Sequence, residues 1–237
     1  MTQHNWIVCL KHGKKYTSDY VNVLYSMIKR HSTVDFKMAC FTEDASGIDP
    51  DIHIFPLPET NGVKGWWYKP YFFSSELPVK GTILYFDLDI IIFKNIDYLW
   101  TYEQDKFCII RDFNRCNVPT WNRMNSSVFR ITTGQHTHVW DDFIKNPSLG
   151  VSRMHGDQDW IFFKTRDLQY KFWPEEWIQS YKWEMRNKPA MVRDKQGVRN
   201  FMTPGEPKVL PKTSVAVFHG DPNPHNCIDP WCKENWR

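Results

Sequence analysis

No apolar run in this 237-residue sequence approaches the ~20 residues that a membrane-spanning helix needs, and Met1 to Trp6 lacks the basic and then apolar pattern of a signal peptide. The expectation is a soluble, cytoplasmic protein with no transmembrane segment. Low-complexity tracts are also missing, and 24% charged with 41% hydrophobic residues excludes the disordered class. Charge of one sign is scarce. Thirty basic residues against 27 acidic ones leave +3, too small a surplus to imply a nucleic-acid partner, although it suits an anionic small ligand. The six cysteines contain no CxxC and read as free thiols; Cys227 and Cys232, with His225 nearby, match no common zinc spacing. No internal repeat or linker is visible, so the chain reads as one domain over 1–237, long enough to bury a substantial core without disulfides. What the sequence has in excess is aromatic rings, 16% with 12 tryptophans. Most belong to a core, but flat apolar rings also stack on pyranose faces, which favours a carbohydrate ligand.

Along the chain, strand and helix patterns alternate. Trp6 to Leu10 suits a buried strand, Lys11 to Tyr16 a polar loop, and Tyr20, Val21, Leu24, Tyr25 and Ile28 recur at helical spacing, with Lys29, Arg30 and His31 in the last turn. Phe36 to Phe41 and Asp51 to Phe55 read as strands, Trp67 to Leu77 as a helix, and Thr82 to Phe86 as a strand buried on both faces. Further strands are expected at Phe107 to Arg111, Ser127 to Ile131 and Val215 to Phe218, and helices at Val139 to Ile144 and Gln158 to Phe163. This alternation predicts an α/β sandwich with a mostly parallel central sheet.

Two carboxylates, Asp87 and Asp89, stand in the otherwise apolar stretch Gly81 to Phe93, where an unpaired charge is costly and a cation must lie close by. On an extended backbone they point to one side, and carboxylate oxygens at the carboxyl end of a strand suit Mg2+ or Mn2+. Aspartates that pair with a lysine or cap a helix are the plainer reading. The apolar strand Val215 to Phe218 delivers His219 to its end, and a loop with Gly220, Pro222 and Pro224 follows, a shape suited to close approach by a phosphate. Small polar residues open the strand near Asn125, and Asp157, Gln158 and Asp159 begin a helix, where Asp157 by itself reads as an N-cap.

In this order the motifs resemble the nucleotide-diphospho-sugar glycosyltransferases of the GT-A fold, and in particular the glycosyltransferase family 8 group that includes glycogenin and bacterial galactosyltransferases. The matching segments are Leu84-Tyr85-Phe86-Asp87-Leu88-Asp89, Asn125-Ser126-Ser127-Val128, Asp157-Gln158-Asp159 and the loop Gly220 to His225, with Lys69 ahead of them in Trp66-Trp67-Tyr68-Lys69-Pro70. The resemblance covers residues 6 to about 225. It implies a single-domain GT-A fold and a Mn2+ or Mg2+ held by Asp87, Asp89 and His219. It also implies a nucleoside diphosphate sugar as donor, UDP-linked first and GDP-linked second, and transfer with retention. Asp157 and Gln158 then lie near the anomeric carbon, Lys69 and Asn125 hold the donor sugar, and Gly220, Asn223 and His225 form the diphosphate loop. Lys11, Lys14 and Tyr16 border the donor in the first loop. The acceptor, a glycan, lipid or protein, is not specified, and neither is the oligomeric state.

Three positions depart from the pattern. The family's metal histidine stands three residues before the loop glycine, whereas Val217 is there and His219 stands one before it; a two-residue shift on an extended strand keeps the same face. The loop lysine is Asn223, so Lys11, Lys14, Lys15 or His225 must supply the charge. An acidic residue that helps read uracil is missing from Lys11-His12-Gly13. Two other functions share parts of this pattern. A sugar nucleotidylyltransferase needs a Gly-rich basic signature after the first strand, of which Lys11 to Lys15 is a poor version, and a non-catalytic sugar- or nucleic-acid-binding protein would use the tryptophans without a metal.

Overall fold

Strands β1 (His4–Lys11), β2 (Lys37–Thr42) and β4 (Gly81–Phe86) are apolar at successive positions because both of their faces are covered, whereas β3 (His53–Phe55) is a short edge strand open to solvent. In the computed structural model, which describes residues 4–237, the first two are joined by helix α1 (Ser18–His31). The first three residues of the N-terminal stretch read above lie outside the described part. The chain continues through β5 (Ile90–Ile92), α2 (Tyr98–Thr101), β6 (Phe107–Arg111), β7 (Met124–Thr132), α3 (His138–Lys145), α4 (Pro147–Arg153) and α5 (Asp157–Thr165). It ends with β8 (Tyr170–Phe172), β9 (Ile178–Ser180), β10 (Met191–Arg193), β11 (Arg199–Phe201), β12 (Val215–Val217) and α6 (Pro230–Asn235).

Seven strands form the central sheet in the order β3-β2-β1-β4-β7-β6-β8. Strand β4 is parallel to β1 and antiparallel to β7, which is also antiparallel to β6; the remaining pairs are parallel, so β7 alone is reversed. This is the mostly parallel α/β sheet that the alternation predicts. A three-stranded sheet, β5-β12-β9, and the hairpin β10-β11 lie beside it.

Side-chain alternation divides the interior between two cores. Ile7, Cys9, Leu84 and Phe86 face α1 and the three-stranded sheet, while Val8, Leu10, Ile83 and Tyr85 face α3, α5 and the segment 65–73. Aromatic rings fill the second core, with Tyr85 stacked on Phe129 at 4.7 Å and Trp67 on Phe143 at 5.6 Å. Most of the aromatic excess is therefore packing. The cysteines are free thiols.

Several boundaries differ from those expected. Residues Gly65–Phe73 form a 3-10 helix rather than an α-helix reaching Leu77, because Pro70 has no N–H for an interior helical bond and its ring crowds the preceding turn. Three residues per turn put Trp66 and Lys69 on one row, and both face the same cavity. Strand β7 starts at Met124, ahead of Ser127. The backbone leaves the strand conformation after Phe86 and again after Val217, and His219 has φ +37°. Neither Asp89 nor His219 therefore takes its direction from the alternation of an extended strand.

Asp97 ties the end of α1 to the segment after β5, accepting hydrogen bonds from Ser32 Oγ at 2.8 Å, Thr33 Oγ1 at 2.6 Å and Asn95 Nδ2 at 2.8 Å. Burial works against its charge, but the hydroxyls and amides outweigh it and hold the carboxyl down at about 2. A depressed acid stabilises the fold above its unfolded pKa and loses that contribution as pH falls through the folded one. Asp97→Ala should thus cost about 1–2 kcal/mol at pH 7, and the difference from wild type in urea titrations should shrink between pH 4 and pH 2, roughly the unfolded and folded values.

Candidate active site

Because β4 and β7 run in opposite directions, the carboxyl end of one meets the amino end of the other. Phe86 pairs with Val128, and the Asp87 N–H donates to the Ser127 carbonyl at 2.8 Å. A cavity of about 290 Å³ opens at this edge. It is lined by Asp87 and Asp89 from the β4–β5 connection, Asn125 to Ser127 from β7, Asp157 and Gln158 from the start of α5, and Trp66 and Lys69 from the 3-10 helix. His12, Lys15, Tyr16 and His219 complete its wall.

The cation required near the paired acids is Lys69. Its buried Nζ lies 2.8 Å from Asp87 Oδ1 and 3.5 Å from Asp157 Oδ2, and donates to Ser126 Oγ at 3.0 Å. Ser126 Oγ in turn donates to Asp157 Oδ2 at 2.6 Å, and the Tyr85 hydroxyl donates to Asp87 Oδ1 at 2.7 Å. Burial opposes the ammonium, yet Asp157 and Asp87 prevail and hold Lys69 above its ordinary value. Burial raises Asp157, with Lys69 and Ser126 pulling the other way. Asp157 is the first residue of α5, and its side chain points into this network; Gly156 occupies the cap position. The N-cap reading of Asp157 is not what the backbone provides. Gln158 is half-buried, and its Oε1 accepts from Asn125 Nδ2 at 3.4 Å.

Asp89 has different company. It is 8% exposed, forms no ion pair among the described residues, and accepts one hydrogen bond, from the Gly220 N–H at 3.3 Å. The Tyr16 hydroxyl lies against it, and burial and then the nearby Asp87 charge raise its carboxyl above the ordinary value. Gly220 reaches Asp89 from a backbone at φ +91°, a conformation in which a side chain is strained. Lys182 supports that loop from behind. Its Nζ donates to the carbonyls of His219, Gly220 and Asp221 at 3.0, 3.1 and 2.8 Å, and burial lowers it to about 8.

The other expected site residues are distributed less uniformly. His219 lines the cavity, but its Nε2 is bonded to Ser180 Oγ at 2.6 Å and its ring stacks on Phe113. Burial, and then Lys182, push it down to about 3, so the imidazole is neutral. Among the described residues the only three ligating groups within 4.8 Å of one another are Cys227, Asp229 and Cys232, so Asp87, Asp89 and His219 stand further apart than that. Asp229 is already served by Tyr181 Oη at 2.8 Å, the Gly205 N–H at 2.9 Å and the Arg186 guanidinium, which fills the place a cation would take. His225 is not part of that cluster and bonds Tyr20. In the first loop Lys15 and Tyr16 face the cavity. Lys11 does not, because β1 runs through it and Leu10 takes the inward position; its Nζ donates to the Asp44 carbonyl at 2.8 Å. Lys14 is exposed outside the lining, and Asn223 bonds Asp221 at 3.1 Å rather than facing the cavity. Lys182 escaped the sequence reading, while Ser126 and His12 were quoted within their segments without a role. A lone lysine between Tyr181 and Trp183 carries no local signal, whereas His12 was visible within the first loop.

No protein-family model and no curated protein matches the sequence. Solved structures do match its fold. An active-site mutant of LgtC superposes with a TM-score of 0.66 at 10% identity over 97% of this chain and 93% of that one. The galactosyltransferase LgtC in complex with donor and acceptor sugar analogues gives 0.64 at 10% identity over the same shares. The glycosyltransferase GlyE of Streptococcus pneumoniae TIGR4 gives 0.55 at 13% identity over 76% of this chain and 48% of that one. The chain thus has the GT-A fold that its motif order implies.

Proposed function

We propose that the chain is a metal-dependent glycosyltransferase that moves a sugar from a nucleoside diphosphate sugar, UDP-linked by preference, to a separate acceptor with retention of anomeric configuration. The observation that carries this reading is Asp89, a buried carboxylate without an ion pair among the described residues, facing a cavity at the strand edge where open sheets bind ligands. Such a group fits a hard divalent cation, and Asp87 beside it offers further oxygen donors. Mn2+ or Mg2+, when bound, supplies Lewis-acid stabilisation of the charge on the departing diphosphate. His219 can serve as a third ligand through Nε2 only by leaving Ser180.

The protein's own residues do the remaining work. Lys15 brings a cation to the cavity wall, and Lys182 holds the Gly220 N–H in place at Asp89. The amides of Asn125 and Gln158 face the cavity and bond each other, and the Gln158 amide N–H groups are left to orient a sugar through its hydroxyls. Asp157 acts through Lys69 and Ser126, so its role in this arrangement is positioning. In the transfer, the bond from the anomeric carbon to the diphosphate breaks with its electron pair on phosphate oxygen. The acceptor hydroxyl forms the new bond and passes its proton to that leaving side.

Incubation with a panel of UDP- and GDP-sugars and Mn2+ tests the reading without an acceptor. Release of free sugar and nucleoside diphosphate is expected, and Gln158→Ala should slow it about tenfold, ~1.4 kcal/mol in the barrier, with little change in nucleotide affinity or Tm. Release from none of the donors contradicts the reading. Pyrophosphate as a product points instead to a nucleotidylyltransferase.

A further inference from the structure

A second concavity, about 470 Å³, is lined in part by the sequence neighbours of Asp157 and Gln158. Trp121, Arg123, His155, Asp159, Phe163 and Arg166 line it, together with Met154. Its lining residues interleave along the chain with those of the first cavity: Arg123 stands two residues before Asn125, and His155 and Asp159 flank Asp157. Between them Gly156 is backbone alone, and a Cβ there would come 3.7 Å from Nε1 of Trp66, which lines the first cavity.

The composition of the groove is not that of an ordinary solvated surface. Trp121 and Phe163 are 37% and 44% exposed, although large rings gain from burial. Trp121 is held in place. Its Nε1 donates to Asp112 Oδ1 at 2.9 Å and its carbonyl accepts from Arg111 Nε at 2.9 Å, so the edge of the ring is anchored while the side chain stays open to solvent. Arg123 lies over the Phe162 ring at 4.5 Å and forms no ion pair among the described residues. Arg166 lies over the Phe163 ring at 4.9 Å and meets one carboxylate, the exposed Asp167, at 3.4 Å. A guanidinium stacked on a ring keeps its in-plane N–H groups free for a bidentate carboxylate or phosphate. Asp159 is the one acid in the lining, against the two arginines and His155.

We infer that this groove binds the acceptor, and that the acceptor is an anionic glycan, with a sugar ring on Trp121 and its carboxylate or phosphate on Arg123 and Arg166. The inference rests on the transferase reading for the word acceptor. The groove's preference for a charged sugar rests on its own residues.

Calorimetry with three probes decides it: hyaluronan hexasaccharide, which carries carboxylates, a phosphorylated oligomannose, and chitohexaose, which is neutral. At least one anionic probe should bind about tenfold or more tightly than chitohexaose, and whichever does so identifies the anion. Arg123→Ala and Trp121→Ala should each weaken that binding about tenfold, with unchanged circular dichroism. Anionic probes that bind no better than chitohexaose, or binding indifferent to both substitutions, overturn the inference. Wild-type donor hydrolysis measured alongside separates the two readings: its absence removes the transferase, and the groove then stands or falls on the binding data.

Discussion

Lys69→Met should destabilise the protein by about 3–5 kcal/mol, because it leaves two buried carboxylates with no cation. For a chain of this size that is a fall in Tm of roughly 6–20 °C. Lys69 is 6% exposed and touches Asp87 at 2.8 Å and Asp157 at 3.5 Å; the methionine fills the space of its stem but pairs with neither. Adding Asp157→Asn to Lys69→Met should recover part of the loss, since one of the orphaned charges is then gone. Asp157→Asn alone should also lower Tm, as it unbalances the same network. A Lys69→Met protein that melts within about 2 °C of wild type would mean that the three groups are not coupled as described.

Asp89→Asn should act in the opposite direction on stability and far more strongly on turnover. The wild-type carboxylate is buried with neutral donors alone, the Gly220 N–H and the Tyr16 hydroxyl, so the amide should raise the Tm of the metal-free protein by ~2–4 °C, or about 1 kcal/mol. The same change should reduce metal-dependent donor hydrolysis by roughly 10²–10³-fold, since stabilisation of the leaving diphosphate is the term it removes. A variant that loses both stability and activity would mark Asp89 as a structural residue. Retained activity would remove it from the metal site.

The central strands were legible because β1, β2 and β4 are apolar at consecutive positions and α1 is apolar at every third or fourth. Asp87 and Asp89 stood out for the same reason, as charges in an apolar run. Their partner was not legible from spacing alone. Lys69 precedes Asp87 by 18 residues on a 3-10 helix, and the family resemblance rather than periodicity singled it out. Strands β8 to β11 are three residues each, too short for an alternation to register, and so Lys182, which follows β9, could not be placed behind the His219–Asp221 loop, although β12 and that loop were legible. Lys11 was misread as facing the donor, although the alternation of β1, with Leu10 inward, already turned it away. His219 shows the reverse error. The two-residue parity argument assumed an extended strand, and the backbone leaves that conformation after Val217, delivering the imidazole to Ser180.

The most direct test of the central claim is a calorimetric titration of wild-type protein with UDP and with GDP, each in the presence and absence of Mn2+. Binding of at least one nucleotide that appears with Mn2+, vanishes with a chelator and is lost in Asp89→Asn is the predicted result. Failure of both nucleotides to bind in the presence of Mn2+, or binding that is the same with and without it, would contradict a metal-dependent nucleotide-sugar site.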